Sequence, residues 1–515
     1  MSLQVLFFTL SLILTLLFFM YGFNHYYLLN AARTYQPPPL PQDPFFRPEV
    51  SIHLPVYNER YVIRRLVAAC AGMAEAYGIQ KVNIMILDDS DDDTAREVDL
   101  VVREYLEKHF KIEVLRRPSR TGFKAGALQA ALERTREEFI AIFDADFIPP
   151  ADFLLLTLPY FGRDERLGII QSRWTHLNRG YNFLTRAIAL AIDVHFFIEQ
   201  TGRYATGCFQ NFNGSGGVLR KKAMLQAGGW SADTLAEDLD LSYRMQLQGT
   251  KLLYLKDLHC PGELPPTFPS FKRQQGRWAN GSLRTARKIL PGLLPERRFG
   301  FKQRLQAFIH LTGFMIQPLM VCSFLLTCLA TLSGLDAPAS VHLSSFIPSS
   351  RNLLWAGTLP INGLQNLTWA ILFPFIALCT LAPWISALTT LKAQNLSPMG
   401  QLPTLFGLLL LGFGLSLSNT REAVKALLTN RIWEFSRTPK YADLQNKQDW
   451  RRMEYQIPLD LQWLAEFVLG MLGGWAIGAA IQQANIAVLL ILVPFTVSYG
   501  FVVLFSILQS RKAKI

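Results

Sequence analysis

Phe139-Ile140-Ala141-Ile142-Phe143-Asp144-Ala145-Asp146 is an apolar run closed by two carboxylates, and two further runs upstream close on polar, acidic motifs. Residues 51–54 run into Pro55-Val56-Tyr57-Asn58-Glu59, and residues 82–87 run into Asp88-Asp89-Ser90. Short apolar runs of this length, bounded by polar turns, are the pattern of buried strands. Between them lie helical patterns over 61–77, a charged stretch ending near Phe110, and 125–135, with a further strand at 112–115. Strands alternating with helices predict a mostly parallel α/β sheet. Such a sheet binds its ligand at the carboxyl ends of its strands, which is where all three polar motifs fall.

Asp144 and Asp146 are two residues apart, so on a strand they share a face, and at its end they could share one hard cation. Oxygen ligands suit Mg²⁺ or Mn²⁺, which also bind a diphosphate. Singly, each motif says little. The acidic run 88–93 is equally a solvated turn, and a lone Asp-x-Asp is more often a surface loop than a metal site. Three at successive strand ends are far harder to dismiss.

Outward from this region the composition changes. The chain has 515 residues, of which 50% are hydrophobic and 17% charged, too apolar for a purely soluble protein. Residues 3–20 form an apolar run of spanning length without the basic start or cleavage site of a signal peptide. Apolar runs return near 305–334, 366–391, 403–418, 461–481 and 485–507. The expected organisation is an N-terminal transmembrane helix (1–30), a Pro-rich linker (31–48) and an α/β domain (49–290). Interfacial and transmembrane helices (291–418), a cytoplasmic basic region (419–460) and a transmembrane hairpin with a basic tail (461–515) follow. Basic residues before the second span and in 419–459 place the large domain in the cytoplasm, and the 335–365 loop, with one Arg and no Lys, outside. An odd number of crossings must then separate the two, so 403–418 is expected to be re-entrant or interfacial. The net charge of +12 borders apolar spans rather than forming one soluble face, which argues against nucleic acid. The six cysteines show no metal-ligand or disulfide pattern.

Two more motifs lie downstream. Ala236-Glu237-Asp238 opens an amphipathic helix, where carboxylates favour the helix dipole, yet one beside a metal could also take a proton from an attacking hydroxyl. Gln274-Gln275-Gly276-Arg277-Trp278 lies in a basic segment suited to a membrane surface. Arg with Trp also suits a diphosphate and a sugar ring, by charge and by stacking.

In this order the motifs resemble the processive inverting glycosyltransferases of family 2, which include cellulose, chitin and hyaluronan synthases. Gln171-Ser172-Arg173-Trp174 and Phe209-Gln210-Asn211-Phe212-Asn213-Gly214-Ser215-Gly216-Gly217 look more like the plant cellulose-synthase-like A and C families than bacterial cellulose synthase catalytic subunits. The resemblance implies a GT-A (Rossmann-like mixed-sheet) domain beside an all-α membrane bundle, a UDP-glucose or GDP-mannose donor, and Mg²⁺ or Mn²⁺. By position, Tyr57, Glu59, Asp88 and Asp89 should contact the nucleotide, and Lys124 should lie near the donor. Asp146, with Asp144, should hold the metal and diphosphate. Asp238 should be the catalytic base, and Gln274, Arg277 and Trp278 should bind diphosphate and line the acceptor mouth. Phe435-Ser436-Arg437-Thr438-Pro439-Lys440 resembles the F-x-V-T-x-K gating loop of cellulose synthases, with Arg437 in place of Val.

The expected function is a multi-pass inner- or plasma-membrane hexosyltransferase that polymerises a β-linked glucan, mannan or glucomannan and moves it across the bilayer. A non-processive enzyme glucosylating diacylglycerol or ceramide carries the same motifs and is the alternative. A catalytically dead scaffold is disfavoured because every acidic motif is intact.

Overall fold

The computed structural model describes residues 3–41, 46–334, 362–429, 440, 457–483 and 485–510. Expectations for the outer loop, for Phe435 to Pro439 and for most of the basic 430–456 stretch lie outside the described residues. The chain divides into two units, Leu28–Thr312 with Lys425–Gln456, and Met1–Tyr27 with Gly313–Val424 and Ile457–Ile515.

The first unit is built on a seven-stranded sheet of order β3-β2-β1-β4-β6-β5-β7. The strands are β1 Val50–Val56, β2 Val82–Asp88, β3 Lys111–Leu115, β4 Phe139–Ile142, β5 Leu167–His176, β6 Gly217–Arg220 and β7 Lys251–Gly262. β1 to β4 form the expected parallel half. β6 runs antiparallel to both β4 and β5, which makes the sheet mixed.

Helices cover both faces, which is why the strands read as near-continuous apolar runs. Val50, Ile52, Leu54 and Val56 of β1 pack with the Ile63–Tyr77 helix on one face. Met85 and Leu87 of β2 and Ile140 and Ile142 of β4 pack with the Phe123–Arg134 helix on the other. Each fully buried side chain of this size contributes about 1.5–3 kcal/mol.

The apolar run 305–334 divides at Thr312. The Phe301–Leu311 helix carries Lys302, Gln303, Arg304, Gln306 and His310. It buries Ala307 and Leu311 against Ile289, Leu290 and Leu293 of the Phe268–Leu293 helix. That polar face keeps it with the sheet unit, and the apolar stretch that follows runs only from Gly313 to Leu332.

The second unit is helical. Among the described residues, four helices are long and apolar enough to cross a membrane: Thr9–Ala32, Gly313–Leu332, Gln462–Gln482 and Val488–Gln509. The segment 403–418 falls across two helices, Met399–Gly414 and Ser416–Leu428, bent by 41° at Leu415. Ser416 marks the break, donating to the Phe413 carbonyl at 2.6 Å and lying 3.0 Å from the Tyr499 hydroxyl. Phe324, Ala476, Phe495 and Tyr499 form the core of this unit.

Candidate active site

Strand register brings the first three motifs together. Val56 pairs with Asp88 and His53 with Ile142, so β1, β2 and β4 end side by side. β4 stops at Ile142 rather than Phe143. The chain then turns, with the Phe147 N–H donating to the Asp144 carbonyl at 3.0 Å. Asp144 and Asp146 therefore lie in this turn rather than on one strand face as expected. Beyond the strand ends is a cavity of ≈ 210 Å³. Tyr57, Glu59, Asp89, Lys124, Asp144 and Asp146 line its sheet side, and Asp238, Gln274, Arg277 and Trp278 its far side.

Asp88 alone among the expected residues does not line the cavity. Its fully buried carboxylate accepts from Arg116 Nε at 2.8 Å and from the Ser90 N–H at 3.1 Å. Arg116→Ala leaves that carboxylate short of a partner and is expected to cost about 1–3 kcal/mol of stability. Thermal melts should show the loss, whereas donor KM should stay at the wild-type value.

Asp89 pairs with Arg117, whose Nε donates at 3.0 Å. The same guanidinium donates to the Thr121 and Phe123 carbonyls at 2.7 and 3.1 Å, so it ties Asp89 to the loop carrying Lys124. The Arg120 guanidinium lies 3.3 Å from the Tyr57 ring centroid, and the Tyr57 hydroxyl donates to Asp91 at 3.3 Å. None of Arg116, Arg117 and Arg120 was anticipated. The available signal was that 116 and 117 directly follow β3, just as the acidic motifs follow their strands.

The loop before β6 holds the Asp144 turn in place. Gln171 accepts from the Asn213 N–H at 2.8 Å and donates to the Ser215 and Gly216 carbonyls. Trp174 Nε1 donates to the Ser215 carbonyl at 2.9 Å. Ser215 Oγ in turn accepts from the Asp144 N–H at 3.0 Å. The Gln171–Trp174 stretch and the 209–217 stretch are thus one clip that holds the Asp144 turn.

Gly214 sits at φ +81°, and a Cβ there would lie 2.8 Å from Asp238 Oδ2. Gly214→Ala would strain the backbone and push the carboxylate aside. Turnover is expected to fall by up to about 10²-fold, with nucleotide diphosphate affinity unchanged by calorimetry.

Asp238 is in the first turn of the Glu237–Leu247 helix, its Oδ1 accepting the Leu239 N–H at 2.8 Å. Burial, then the Glu237 charge, push its pKa up to about 7 against the pull of Lys124. A carboxyl group poised near neutrality suits general-base work. The purely structural acid of this helix is Asp240, fully buried and paired with Arg244 at 2.7 Å and Lys288 at 3.0 Å.

Gln274, Arg277 and Trp278 are spaced i, i+3, i+4 on the Phe268–Leu293 helix and so share one face. That helix approaches the Asp238 segment so closely that a Cβ on Gly281 would lie 2.6 Å from the Ala236 Cβ. Burial lowers the Arg277 pKa, opposed by the charges of Glu237, Asp144, Asp146 and Glu59. Its guanidinium therefore faces a cluster of carboxylates.

Lys124 bridges the two sides, 2.7 Å from Asp144 Oδ1, 3.5 Å from Glu237 and 3.1 Å from the Gly214 carbonyl. Burial would lower its pKa, but the Asp144, Glu237 and Asp238 charges raise it, so it stays an ammonium. Asp146 is paired with Lys440, the final residue of the gating-loop-like motif. Among the described residues no three His, Cys, Asp or Glu side chains gather as a metal-holding group. Two carboxylates from an all-oxygen set nevertheless fit Mg²⁺ or Mn²⁺, which take one or two protein carboxylates and fill the remaining positions with phosphate and water.

Comparison with known proteins bears on the domain as a whole. A glycosyl transferase family 2 model matches residues 51–219, and a glycosyl transferase family group 2 model matches residues 139–392. The chain is 32% identical over 314 residues to glucomannan 4-beta-mannosyltransferase 2 of Arabidopsis thaliana, covering 60% of this chain and 58% of the relative. It is 32% identical over 322 residues to glucomannan 4-beta-mannosyltransferase 1 of Cyamopsis tetragonoloba, covering 61% and 60%. The chain thus spans less than two thirds of the length of these relatives. Among solved structures it is similar to a mannosyltransferase from Pyrobaculum calidifontis, with a TM-score of 0.47 and 19% identity over 74% of this chain and 97% of that one. With the mixed sheet, the strand-end acids and both matching models in agreement, the chain carries a glycosyltransferase family 2 domain of GT-A-like fold.

Proposed function

We propose that the protein is a membrane-embedded, inverting hexosyltransferase that builds a β-linked mannan or glucomannan from a nucleotide-sugar donor. The observation that carries the reading is one cavity with Asp144 and Asp146 on its sheet side, Asp238 and Arg277 on its far side, and Lys124 in reach of both Asp144 and Glu237. The relatives' names favour a mannosyl donor and a polymeric product.

In this reading Tyr57, Glu59 and Asp89 hold the nucleoside, and Trp278 and Gln274 hold the sugar and acceptor end. Asp144 and Asp146 hold a divalent cation, which supplies positive charge at the diphosphate when bound. Asp238 removes the proton from the acceptor hydroxyl as its oxygen attacks the anomeric carbon from the face opposite the diphosphate. Arg277 stabilises the negative charge that develops on the leaving group. The four apolar helices anchor the domain and give the product a route outward, with the catalytic unit cytoplasmic.

The test is donor turnover by purified protein in nanodiscs, using GDP-mannose or UDP-glucose with Mn²⁺ or Mg²⁺. Labelled product would be sized and digested with linkage-specific glycanases. A long polymer cut by β-1,4-mannanase is the expected result. A single sugar on an extractable lipid would replace polymer synthesis with glycolipid synthesis and remove the translocation step.

A further inference from the structure

The carboxylates of Asp144 and Asp146 each hold an ammonium group, but the two ammonium groups are held differently. Lys124 is fixed on three sides, by Asp144 at 2.7 Å, the Gly214 carbonyl at 3.1 Å and Glu237 at 3.5 Å. Lys440 has one carboxylate at contact, Asp146, with the Glu263 carbonyl at 3.3 Å, and the Glu263 and Glu59 charges act on it as well. The Asp146 and Lys440 side chains are each only 10% exposed. A carboxylate so far removed from water needs a positive partner, and Lys440 supplies it without any metal.

Resting on the proposed metal role of Asp146, we infer that the Lys440 ammonium is a displaceable counter-ion that competes with the divalent cation for that carboxylate. The cation and the ammonium draw on the same carboxylate, and the positive charge of each opposes the binding of the other. A divalent ion carries twice the charge, but it must first release Lys440 from a buried pair. Cation affinity is therefore held low until a donor diphosphate adds its own oxygens to the cation's coordination shell. Cation and donor then bind cooperatively, and metal without donor occupies the site only weakly, at high concentration. Lys124, with three partners, stays in place throughout.

The experiment measures Mn²⁺ binding to the full-length detergent-purified protein, without donor, from the electron paramagnetic resonance signal of free Mn²⁺. Lys440→Met is expected to tighten the Mn²⁺ Kd by at least about ten-fold, a change of about 1.4 kcal/mol. Lys440→Arg, which keeps the charge, should stay near wild type, and Asp146→Asn should lose binding. Equal affinity in wild type and Lys440→Met, with binding lost in Asp146→Asn, would overturn the inference and leave the metal site standing. No difference between Asp146→Asn and wild type would instead sink the metal site itself. A second measurement needs no variant. Acetylation of Lys440 in the wild-type protein, followed by mass spectrometry, should speed up several-fold when Mn²⁺ is added. An unchanged rate at saturating Mn²⁺ would overturn the competition even if Lys440→Met failed to fold.

Discussion

Asp238→Asn is expected to lower turnover by about 10²–10⁴-fold while leaving nucleotide diphosphate binding near the wild-type value. The amide keeps the size and the hydrogen bond from the Leu239 N–H but cannot accept a proton from the acceptor. A variant that bound donor and kept near-normal turnover would remove the base assignment.

The wild-type pH profile follows from the same group. Asp238 must be a carboxylate to act, and burial with the Glu237 charge lifts its pKa to about 7. kcat/KM should therefore rise with pH through about 7, and this limb should vanish from the residual activity of the Asn variant. Stability follows the opposite sense in metal-free protein. Below the ordinary carboxylate value of 3.8 the group is protonated whether folded or unfolded, and burying it costs little. As pH rises from 3.8 through about 7 the unfolded chain ionises first, and the folded state loses stability relative to it. Asp238→Asn escapes that loss. It should melt higher than wild type at about pH 8, and the gap should close by about pH 4.

Arg277→Ala carries the second large effect, a fall in kcat of about 10²–10³-fold. The charges of Glu237, Asp144, Asp146 and Glu59 act on the guanidinium, and the proposed mechanism has it compensate leaving-group charge. Because it acts on charge that develops during the transfer, kcat and kcat/KM should fall together. Arg277→Lys should recover only part of the loss, since an ammonium cannot grip two phosphate oxygens with a planar fork. A rise in donor KM with kcat unchanged would make Arg277 a substrate anchor and not a stabiliser of the leaving group.

The alternation of apolar runs and helical patterns, and the acids at the ends of β1, β2 and β4, were determined by local sequence. Period and composition encode a buried strand directly, because both of its faces must be apolar wherever helices cover the sheet. The residues on the far side of the cavity were legible as motifs, and the i, i+3, i+4 spacing of Gln274, Arg277 and Trp278 already placed them on one helical face.

What tertiary structure alone decided depends on contacts between distant segments. Asp88 and Asp89 are neighbours in sequence, yet one is sealed behind Arg116 and the other lines the cavity. Strand alternation allows both arrangements, and only the side chains arriving from β3 and its following turn choose between them. The antiparallel insertion of β6 and the clip joining Gln171 to Asn213 and Ser215 arise from long-range pairing with no local period to announce it. The division of the 305–334 run depended on Ala307 and Leu311 of the Phe301–Leu311 helix finding Ile289, Leu290 and Leu293 of the Phe268–Leu293 helix. Lys440 and Asp146 are separated by nearly three hundred residues, and their pairing was decided by folding alone. Lys440 stood out in the sequence as the last residue of the gating-loop-like motif, but nothing in that motif names the buried carboxylate it neutralises.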